Sequence, residues 1–189
     1  MSYLERERLQ QAARTIRQGG VIAYPTEAVY GLGCDPQNSE AVAKILRMKR
    51  RSAAKGVILI ASSIEQLAPY VLFTDLDEET LLNINNSWPG PNTWLIRAKP
   101  KTPKWLRGQH QTLAVRVTNH PIAKGICQVL QGAIVSTSAN LSNHPPATTA
   151  RECRFIFRQQ LDHIVKGSVE PNAKPSTIRD AASGAIIRA

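Results

Sequence analysis

The sequence predicts an α/β fold, a single domain in which a twisted mixed sheet is covered by helices. Candidate strands and helices alternate along most of the 189 residues, which is typical of this fold class. Several candidate strands are apolar on both faces, which indicates a sheet buried between two layers. A hydrophobic content of 42% is enough to build the core of one domain of this length.

Hydrophobic periodicity predicts six helices. The first ends where Gly19 and Gly20 interrupt the apolar repeat. Ser39 is a candidate N-cap for the second, and acidic residues in the first turn of the fourth suit the positive end of the helix dipole. The predicted helices lie near residues 4–16, 39–49, 62–71, 75–88, 121–131 and 149–160.

Short apolar runs between these helices predict eight strands. Residues 25–36 follow the first strand and are rich in Gly and Pro, so we expect them to form a loop. The predicted strands lie at residues 21–24, 57–61, 93–98, 112–118, 133–139, 163–167, 176–180 and 185–189.

The composition favours a polyanionic partner. The chain has 24 Lys and Arg residues against 14 Asp and Glu, a net charge of +10, which suits nucleic acid or nucleotides. No apolar run is long enough to cross a bilayer and the N-terminal residues lack an apolar signal core, so we expect a cytoplasmic protein. Three separated cysteines and four scattered histidines show no metal-ligand spacing, so we expect no protein metal site.

The most cationic stretch is KILRMKRRSAAK, residues 44–55, which carries six cations and no acid. Lys49 continues the apolar stripe of the second helix, where a lysine is costly unless its amine reaches a partner. If the chain beyond Lys49 is extended, Lys49 and Arg51 project to the same side and form a phosphate clamp. The alternative is a solvated helix face, which we favour for three further cations, Lys44, Arg47 and Arg50.

Two further features can bind a charged substrate. In the stretch 135–146, Ser136, Thr137, Ser138 and Asn140 lead from a strand into a turn of small residues that can cradle a phosphate or a ribose. The alternative is an ordinary Ser/Asn turn.

The second feature is Arg116, which lies on the predicted strand 112–118. A sheet covered by helices would bury its guanidinium unless this face opens on a cleft. A buried guanidinium needs an anion, either a substrate carboxylate or an internal Asp or Glu. The chain also lacks the Walker, GxSxG and HExxH motifs. Its candidate functional groups are instead cations and hydroxyls, which can align phosphate and carboxylate groups.

Six short motifs occur in an order that resembles one known family. They are YPTEAVYGLG (24–33), Lys-x-Arg (49–51), WPGPNT (88–93), LAVRV followed by HP (113–121), STSANLS (136–142) and PSTIRD (175–180). The chain resembles the YrdC-like family of threonylcarbamoyl-AMP synthases in its short bacterial form. This resemblance implies one YrdC-like domain over residues 8–189 with an open basic cavity.

The resemblance also implies a reaction. L-threonine and bicarbonate give a carbamate, which attacks the α-phosphate of ATP to form threonylcarbamoyl-AMP and pyrophosphate, with Mg²⁺ accompanying the ATP. A tRNA-threonylcarbamoyl transferase complex then moves the group to the adenosine beside the anticodon of tRNAs that read codons starting with A. Direct binding of tRNA is a further possibility.

Residue roles follow from the matched motifs. The implied catalytic residues, which also contact ATP, are Lys49, Arg51, Ser138 and Asn140. The other implied ATP-binding residues are Lys55, Thr112 and Arg188. The implied threonine-binding residues are Thr26, Arg116, Ser136 and Ser176, with Arg116 on the carboxylate.

Two alternative functions remain open at the level of sequence. The first is a basic RNA-binding or ribosome-maturation module, which the stretch 97–108 favours with five cations, no acid and Trp105 available for stacking. The second is the carbamoyl-adenylate chemistry of hydrogenase-maturation proteins. Those chains are much larger and carry a zinc-finger region that this sequence lacks.

Overall fold

The computed structural model describes residues 3–189, and within them six α-helices and nine strands. The helices are α1 (Tyr3–Arg17), α2 (Ser39–Met48), α3 (Glu78–Ser87), α4 (Lys104–Arg107), α5 (Pro121–Leu130) and α6 (Ala150–Phe157). The strands are β1 (Ile22–Pro25), β2 (Tyr30–Gly33), β3 (Ile58–Ala61), β4 (Asn92–Arg97), β5 (Thr112–Val117), β6 (Ile134–Ser138), β7 (His163–Ile164), β8 (Thr177–Asp180) and β9 (Ile186–Arg188).

All nine strands form one sheet in the order β7-β1-β2-β6-β3-β5-β4-β8-β9. The pairs β1/β7, β3/β5 and β4/β8 are parallel, and the five other neighbouring pairs are antiparallel. The predicted α/β class with a mixed sheet is therefore confirmed. The eight predicted strands are present, although the one at 163–167 is reduced to two residues.

Helices pack on both faces of the sheet, and the alternation of side chains along each strand divides the core into two clusters. Ile22 and Tyr24 of β1 join the cluster under α1 and α5, whereas Ala23 joins the larger cluster on the opposite face. On that opposite face, α2 buries the predicted stripe of Val42, Ile45 and Leu46.

A cavity opens on the sheet face that also carries α1 and α5. Their cluster takes apolar residues from β1, β3 and β6. Beside it, Ser136, Ile58, Ala114 and Leu95 are paired in register across four strands and line the cavity. The helix layer is therefore incomplete on this face, and the gap creates a concave site on a rigid floor.

Two predictions about local structure are wrong. Residues 62–71 form successive turns and not a helix, because Pro69 removes a backbone donor and leaves too short a run to nucleate. The expected loop 25–36 contains β2, in which Gly33 lies so close to β6 that a Cβ atom would meet the Val135 carbonyl oxygen at 2.9 Å. The short helix α4 lies within the cationic stretch 97–108 and was not predicted.

Among residues 3–189, no helix combines the length and the apolar character needed to span a bilayer.

Candidate active site

A cavity of about 450 Å³ lies between the β1–β2 turn, the segment after α2, and strands β5, β6, β8 and β9. Its lining is strongly cationic. Six Lys and Arg side chains contribute, namely Arg51, Lys55, Arg107, Arg116, Lys174 and Arg188, and Glu27 is the single carboxylate among the described lining residues. Cations in a concave site focus the field and favour a polyanionic ligand.

A second cavity of about 510 Å³ lies between the ends of α1 and α5 and the turns at 62–71. Its lining contains Asp35 and Glu65 but one cation, Arg17, whose Nη2 already donates to the Val129 carbonyl oxygen at 2.6 Å. This lining favours a polyanion much less than the six cations of the first cavity do, so the first cavity is the candidate site for phosphate chemistry.

The end of α2 brings the cationic stretch to the first cavity. The helix ends in a Schellman motif, because Arg51 N donates to Leu46 O and Arg50 N donates to Arg47 O. Arg50 adopts a left-handed conformation with φ of 51°. The predicted extended geometry after Lys49 is therefore wrong, and the turn separates the directions of the Lys49 and Arg51 side chains.

Lys49 lies behind the cavity wall and not in its lining. It is 2% exposed, and its Nζ donates to the Ser138 and Asn140 carbonyl oxygens and to Asn140 Oδ1. Burial, and then the nearby Arg51 charge, lowers the pKa of Lys49 to about 8. The amine thus fixes the turn after β6. This turn is the partner that a lysine on the apolar stripe was predicted to need.

The turn after β6 presents one hydroxyl to the cavity. Ser138 lines the cavity and its Oγ donates to Asn140 Oδ1 at 2.6 Å. The Asn140 amide nitrogen donates to the Leu141 and His144 carbonyl oxygens, so Asn140 is fully used in holding the turn. Of the pair Ser138 and Asn140, only Ser138 reaches the cavity.

Arg51 and Lys55 line the opposite wall of this corner. Arg51 Nη2 donates to the Gly56 carbonyl oxygen at 3.2 Å, and its buried Nε has no hydrogen-bond partner. The segment that carries them is pressed against the residues after α4, where a Cβ atom on Gly108 would collide with the Ala54 carbonyl oxygen. Gly108 has φ of 61°, so both the space and the backbone conformation require glycine there.

A buried ion pair lies farther along β3, where Arg116 is paired with Ile60, whereas Arg51 donates to Gly56 just before that strand. Arg116 is 7% exposed and its Nη2 lies 3.2 Å from Oε2 of Glu27, which is 8% exposed. Burial alone would raise the pKa of Glu27, but the Arg116 charge and hydrogen bonds from Thr118 and Asn119 outweigh burial and lower it below its ordinary value. The carboxylate is therefore ionised, and the sequence alternative of an internal acid for Arg116 is confirmed.

Hydroxyl groups surround this ion pair. Tyr24, which is fully buried, donates from its hydroxyl to Ser136 Oγ at 2.8 Å, and Ser136 lines the cavity. Thr26 also lines the cavity, and its Oγ1 donates to the Val29 carbonyl oxygen at 2.6 Å. These hydroxyls retain free lone pairs that can accept a hydrogen bond from a ligand.

Strands β8 and β9 form the outer wall. Thr93 donates from its hydroxyl to Ser176 Oγ at 3.0 Å, and Arg188 Nη2 donates to the Ser176 carbonyl oxygen at 2.8 Å. Burial and the charge of Arg116 lower the pKa of Arg188, which places Arg188 within the field of the ion pair. Ser176, Arg188 and Thr112 all line the cavity.

The structure thus gathers nine of the eleven predicted site residues around one cavity and places Lys49 and Asn140 behind its wall. Sequence reasoning missed Glu27, although it lies within the quoted motif YPTEAVYGLG next to Thr26. It also missed Tyr24, because an apolar strand hides a buried hydroxyl, and the lining cations Arg107 and Lys174. Within residues 3–189, no three His, Cys, Asp or Glu side chains come together in a group that could hold a metal.

Comparisons with known proteins agree with this geometry. The Sua5/YciO/YrdC family model, described as telomere recombination, matches residues 14–189. The chain is 50% identical over 187 residues to the threonylcarbamoyl-AMP synthase of Alkalilimnicola ehrlichii, covering 97% of this chain and 96% of that one. It is 49% identical over 189 residues to the threonylcarbamoyl-AMP synthase of Methylococcus capsulatus, covering 100% of both chains.

A solved structure, P. abyssi Sua5 complexed with L-threonine, has the same fold. It superposes with a TM-score of 0.86 at 31% identity and covers 93% of this chain. The chain spans about half of that protein, 51% of its length. From the family match over residues 14–189 and these full-length relatives, the chain belongs to the Sua5/YciO/YrdC family.

Proposed function

We propose that this protein is an L-threonylcarbamoyladenylate synthase, a nucleotidyltransferase that uses L-threonine, bicarbonate and ATP. The single observation that carries the proposal is a cavity with two chemically different ends. One end has the buried Arg116 guanidinium among hydroxyls, and the other has Arg51, Lys55 and Ser138 without a carboxylate. A substrate with one carboxylate and a substrate with a triphosphate fit these ends, and the chemistry takes place between them.

In the first step, the ammonium group of L-threonine loses a proton and the resulting amine attacks the bicarbonate carbon. A nitrogen–carbon bond forms, a carbon–oxygen bond of bicarbonate breaks, and water leaves. Arg116 holds the threonine carboxylate through its Nη atoms, since guanidinium and carboxylate match in shape. The hydroxyls of Thr26, Ser136 and Ser176 line this end and accept or donate hydrogen bonds to the polar groups of threonine.

In the second step, a carbamate oxygen attacks the α-phosphorus of ATP. The new oxygen–phosphorus bond forms while the bond from the α-phosphorus to the bridging oxygen of the β-phosphate breaks, and pyrophosphate leaves with that electron pair. Such an in-line transfer needs positioning and charge stabilisation and no protein nucleophile. Arg51, Lys55 and Arg188 stabilise the phosphate charge, and Ser138 and Thr112 orient the nucleotide.

Mg²⁺ belongs to the substrate in this proposal and enters as MgATP. The one lining carboxylate, Glu27, is buried against Arg116, so the described protein residues leave the ion to phosphate oxygens and water. The residues of the cavity are instead cationic, which fits a triphosphate whose charge the ion only partly neutralises.

The product is an acyl-adenylate and therefore an activated donor. We place the protein in the cytoplasm, where a tRNA-threonylcarbamoyl transferase complex moves the threonylcarbamoyl group to the adenosine next to the anticodon in tRNAs that read codons beginning with A. Direct tRNA binding is a weaker proposal that rests on the cations of residues 97–108. Trp105, which is 38% exposed, donates from Nε1 to the Pro36 carbonyl oxygen at 3.1 Å, so its edge is already engaged.

The test is an assay with MgATP, L-threonine and bicarbonate in which the product is identified by mass. We expect threonylcarbamoyl-AMP and pyrophosphate in equal amounts, each requiring all three substrates. A matched reaction in degassed buffer without bicarbonate is the control. If the complete mixture yields neither product, the proposed function is wrong, and salt-sensitive RNA binding without adenylate formation would favour the RNA-binding module.

A further inference from the structure

The ion pair between Glu27 and Arg116 has a consequence for substrate choice, which rests on the proposed function. We infer that Glu27 is a positioning and specificity-determining residue: it orients Arg116 and neutralises it, so that the threonine end accepts a single carboxylate and excludes the triphosphate of ATP. Arg51 and Lys55, which lack such a counter-charge, then receive the triphosphate.

The fold holds the Glu27 carboxylate in one position. Its Oε1 accepts hydrogen bonds from Thr118 Oγ1 at 2.8 Å and from Asn119 N at 3.3 Å. The Thr118 hydroxyl in turn accepts a hydrogen bond from His120 N at 3.2 Å, and Glu170 N donates to the Glu27 carbonyl oxygen at 2.9 Å. A carboxylate held by two hydrogen bonds at Oε1 and anchored through its backbone can define the orientation of the guanidinium beside it.

Glu27 lines the cavity, and the contact that defines its role is the ion pair with Arg116. Its Oε2 atom is buried and has no hydrogen-bond partner, and the neighbouring Nε of Arg116 is buried in the same way. Arg116 Nη2 lies 3.2 Å from Glu27 Oε2, so Glu27 fixes the plane of the guanidinium and compensates its charge. The Nη hydrogens that Glu27 does not engage can then face the carboxylate of a substrate.

Charge compensation matters because the cavity is rich in cations. Without the Glu27 carboxylate, Arg116 would add uncompensated positive charge next to Arg188 and extend the phosphate-binding region into the threonine end. Partly buried charges interact much more strongly than charges in water, so such a pair would attract phosphate groups. At the other end, Arg51 donates to the Gly56 carbonyl oxygen as its one acceptor among residues 3–189, and Lys55 is exposed. The contrast in net charge steers the triphosphate towards Arg51 and Lys55.

The test variant is Glu27→Gln, which keeps the shape of the side chain and an acceptor for Thr118. We expect the KM for L-threonine to rise about tenfold or more, since Arg116 loses a charge-assisted partner. We expect the KM for ATP and kcat to stay within about twofold, because the phosphate end is separate. Glu65→Gln, the same change at an exposed carboxylate outside this cavity, is the matched control.

Inorganic tripolyphosphate is the probe for specificity. In the unmodified protein it should inhibit competitively against ATP and not against L-threonine, whereas in Glu27→Gln it should also compete with L-threonine. Glu27→Asp, which restores the charge, should again exclude tripolyphosphate from the threonine end. These patterns of inhibition would not arise from a general loss of packing.

The outcomes separate two failures. If the unmodified protein forms no threonylcarbamoyl-AMP, the proposed function fails. If it forms the product but tripolyphosphate already competes with L-threonine, or if Glu27→Gln leaves both the threonine KM and the inhibition pattern unchanged, the inference about Glu27 is overturned. The measurement on the unmodified protein keeps the inference testable should Glu27→Gln fail to fold.

Discussion

The two ends of the cavity hold their cations in opposite ways. Arg116 is buried against an ionised carboxylate at 3.2 Å, whereas Arg51 is partly buried with one backbone carbonyl as acceptor and Lys55 is exposed. A paired guanidinium keeps a fixed orientation but offers little net charge. Unpaired cations offer a strong potential but less defined geometry. The difference indicates that one end recognises the shape of a carboxylate and the other the charge of a polyanion.

The largest effect should come from removing the ion pair at the threonine end of the cavity, which we call the rigid end. In Arg116→Met, we expect kcat/KM for L-threonine to fall about 100-fold, because truncating one partner of a buried charge pair costs about 2–5 kcal/mol in binding. We also expect the free energy of unfolding to fall by about 3–5 kcal/mol, since the Glu27 carboxylate is left buried and uncompensated. Pyrophosphate release and urea unfolding measure the two effects.

A double variant separates these two effects. Arg116→Met combined with Glu27→Gln removes the orphaned charge, so we expect most of the stability to return while the activity on L-threonine stays low. Full activity in Arg116→Met would contradict the assignment of this end to the threonine carboxylate.

Substitutions at the end that contains Arg51 and Lys55, which we call the charged end, should change activity and not stability. In Arg51→Ala, we expect kcat/KM for ATP to fall about 30-fold, since hydrogen bonds to charged groups contribute about 1.5–3 kcal/mol. The free energy of unfolding should change by less than about 1 kcal/mol, because one hydrogen bond to Gly56 O is lost. Arg47→Ala, at an exposed cation of the same stretch, is the control and should change neither quantity.

Lys49 lies between these extremes, because it is buried like Arg116 but acts on the charged end through the turn at Ser138. In Lys49→Met, we expect kcat/KM for ATP to fall about tenfold, since the turn loses a buried charge-assisted partner. Ser138→Ala combined with Lys49→Met should show less than the sum of the single effects, because both changes affect one contact. Strict additivity would instead favour a direct contact of Lys49 with ATP.

The pH dependence of Lys49 gives a second check with opposite signs for activity and stability. The pKa of Lys49 is lowered from 10.5 to about 8, so the folded protein binds fewer protons than the unfolded chain between these values. Relative to Lys49→Met, the protein should therefore gain stability as pH rises from about 8 to 10.5. Its kcat/KM for ATP should decline over the same window, as the amine loses one of its three donors.

The sequence predicts the sheet better than it predicts the environment of each site residue. Apolar runs mark eight of the nine strands, but β2 is missed because Gly31 and Gly33 read as loop residues. Their small size instead permits close contact with Tyr24 and with the backbone of β6. Helical periodicity at 62–71 is misleading because Pro69 ends the run, which is a local steric effect that a hydrophobic pattern does not register.

For the site, the residue types are readable but their partners are not. Arg116 on an apolar strand predicts a buried guanidinium with an anion, and the structure supplies Glu27 from a distant part of the chain. Lys49 on the apolar stripe predicts a partner for its amine, yet the partner is a turn about 90 residues away. Both contacts depend on which strands become neighbours, and the order of strands in the sheet is not encoded in local periodicity.

The smallest expected effect tests whether the rigid end depends on hydroxyl positioning as well as on charge. In Tyr24→Phe, Ser136 loses the hydrogen bond from the Tyr24 hydroxyl, which contributes about 0.5–1.5 kcal/mol. We expect the KM for L-threonine to rise about threefold with kcat and the KM for ATP unchanged. Burial raises the pKa of Tyr24, so the phenol keeps its proton and remains a donor. The effect of the substitution should therefore be the same at every pH below the ordinary pKa of tyrosine. An equal rise in the KM for ATP would show that the hydroxyl supports the whole cavity, and the two ends would then be less independent than their charges indicate.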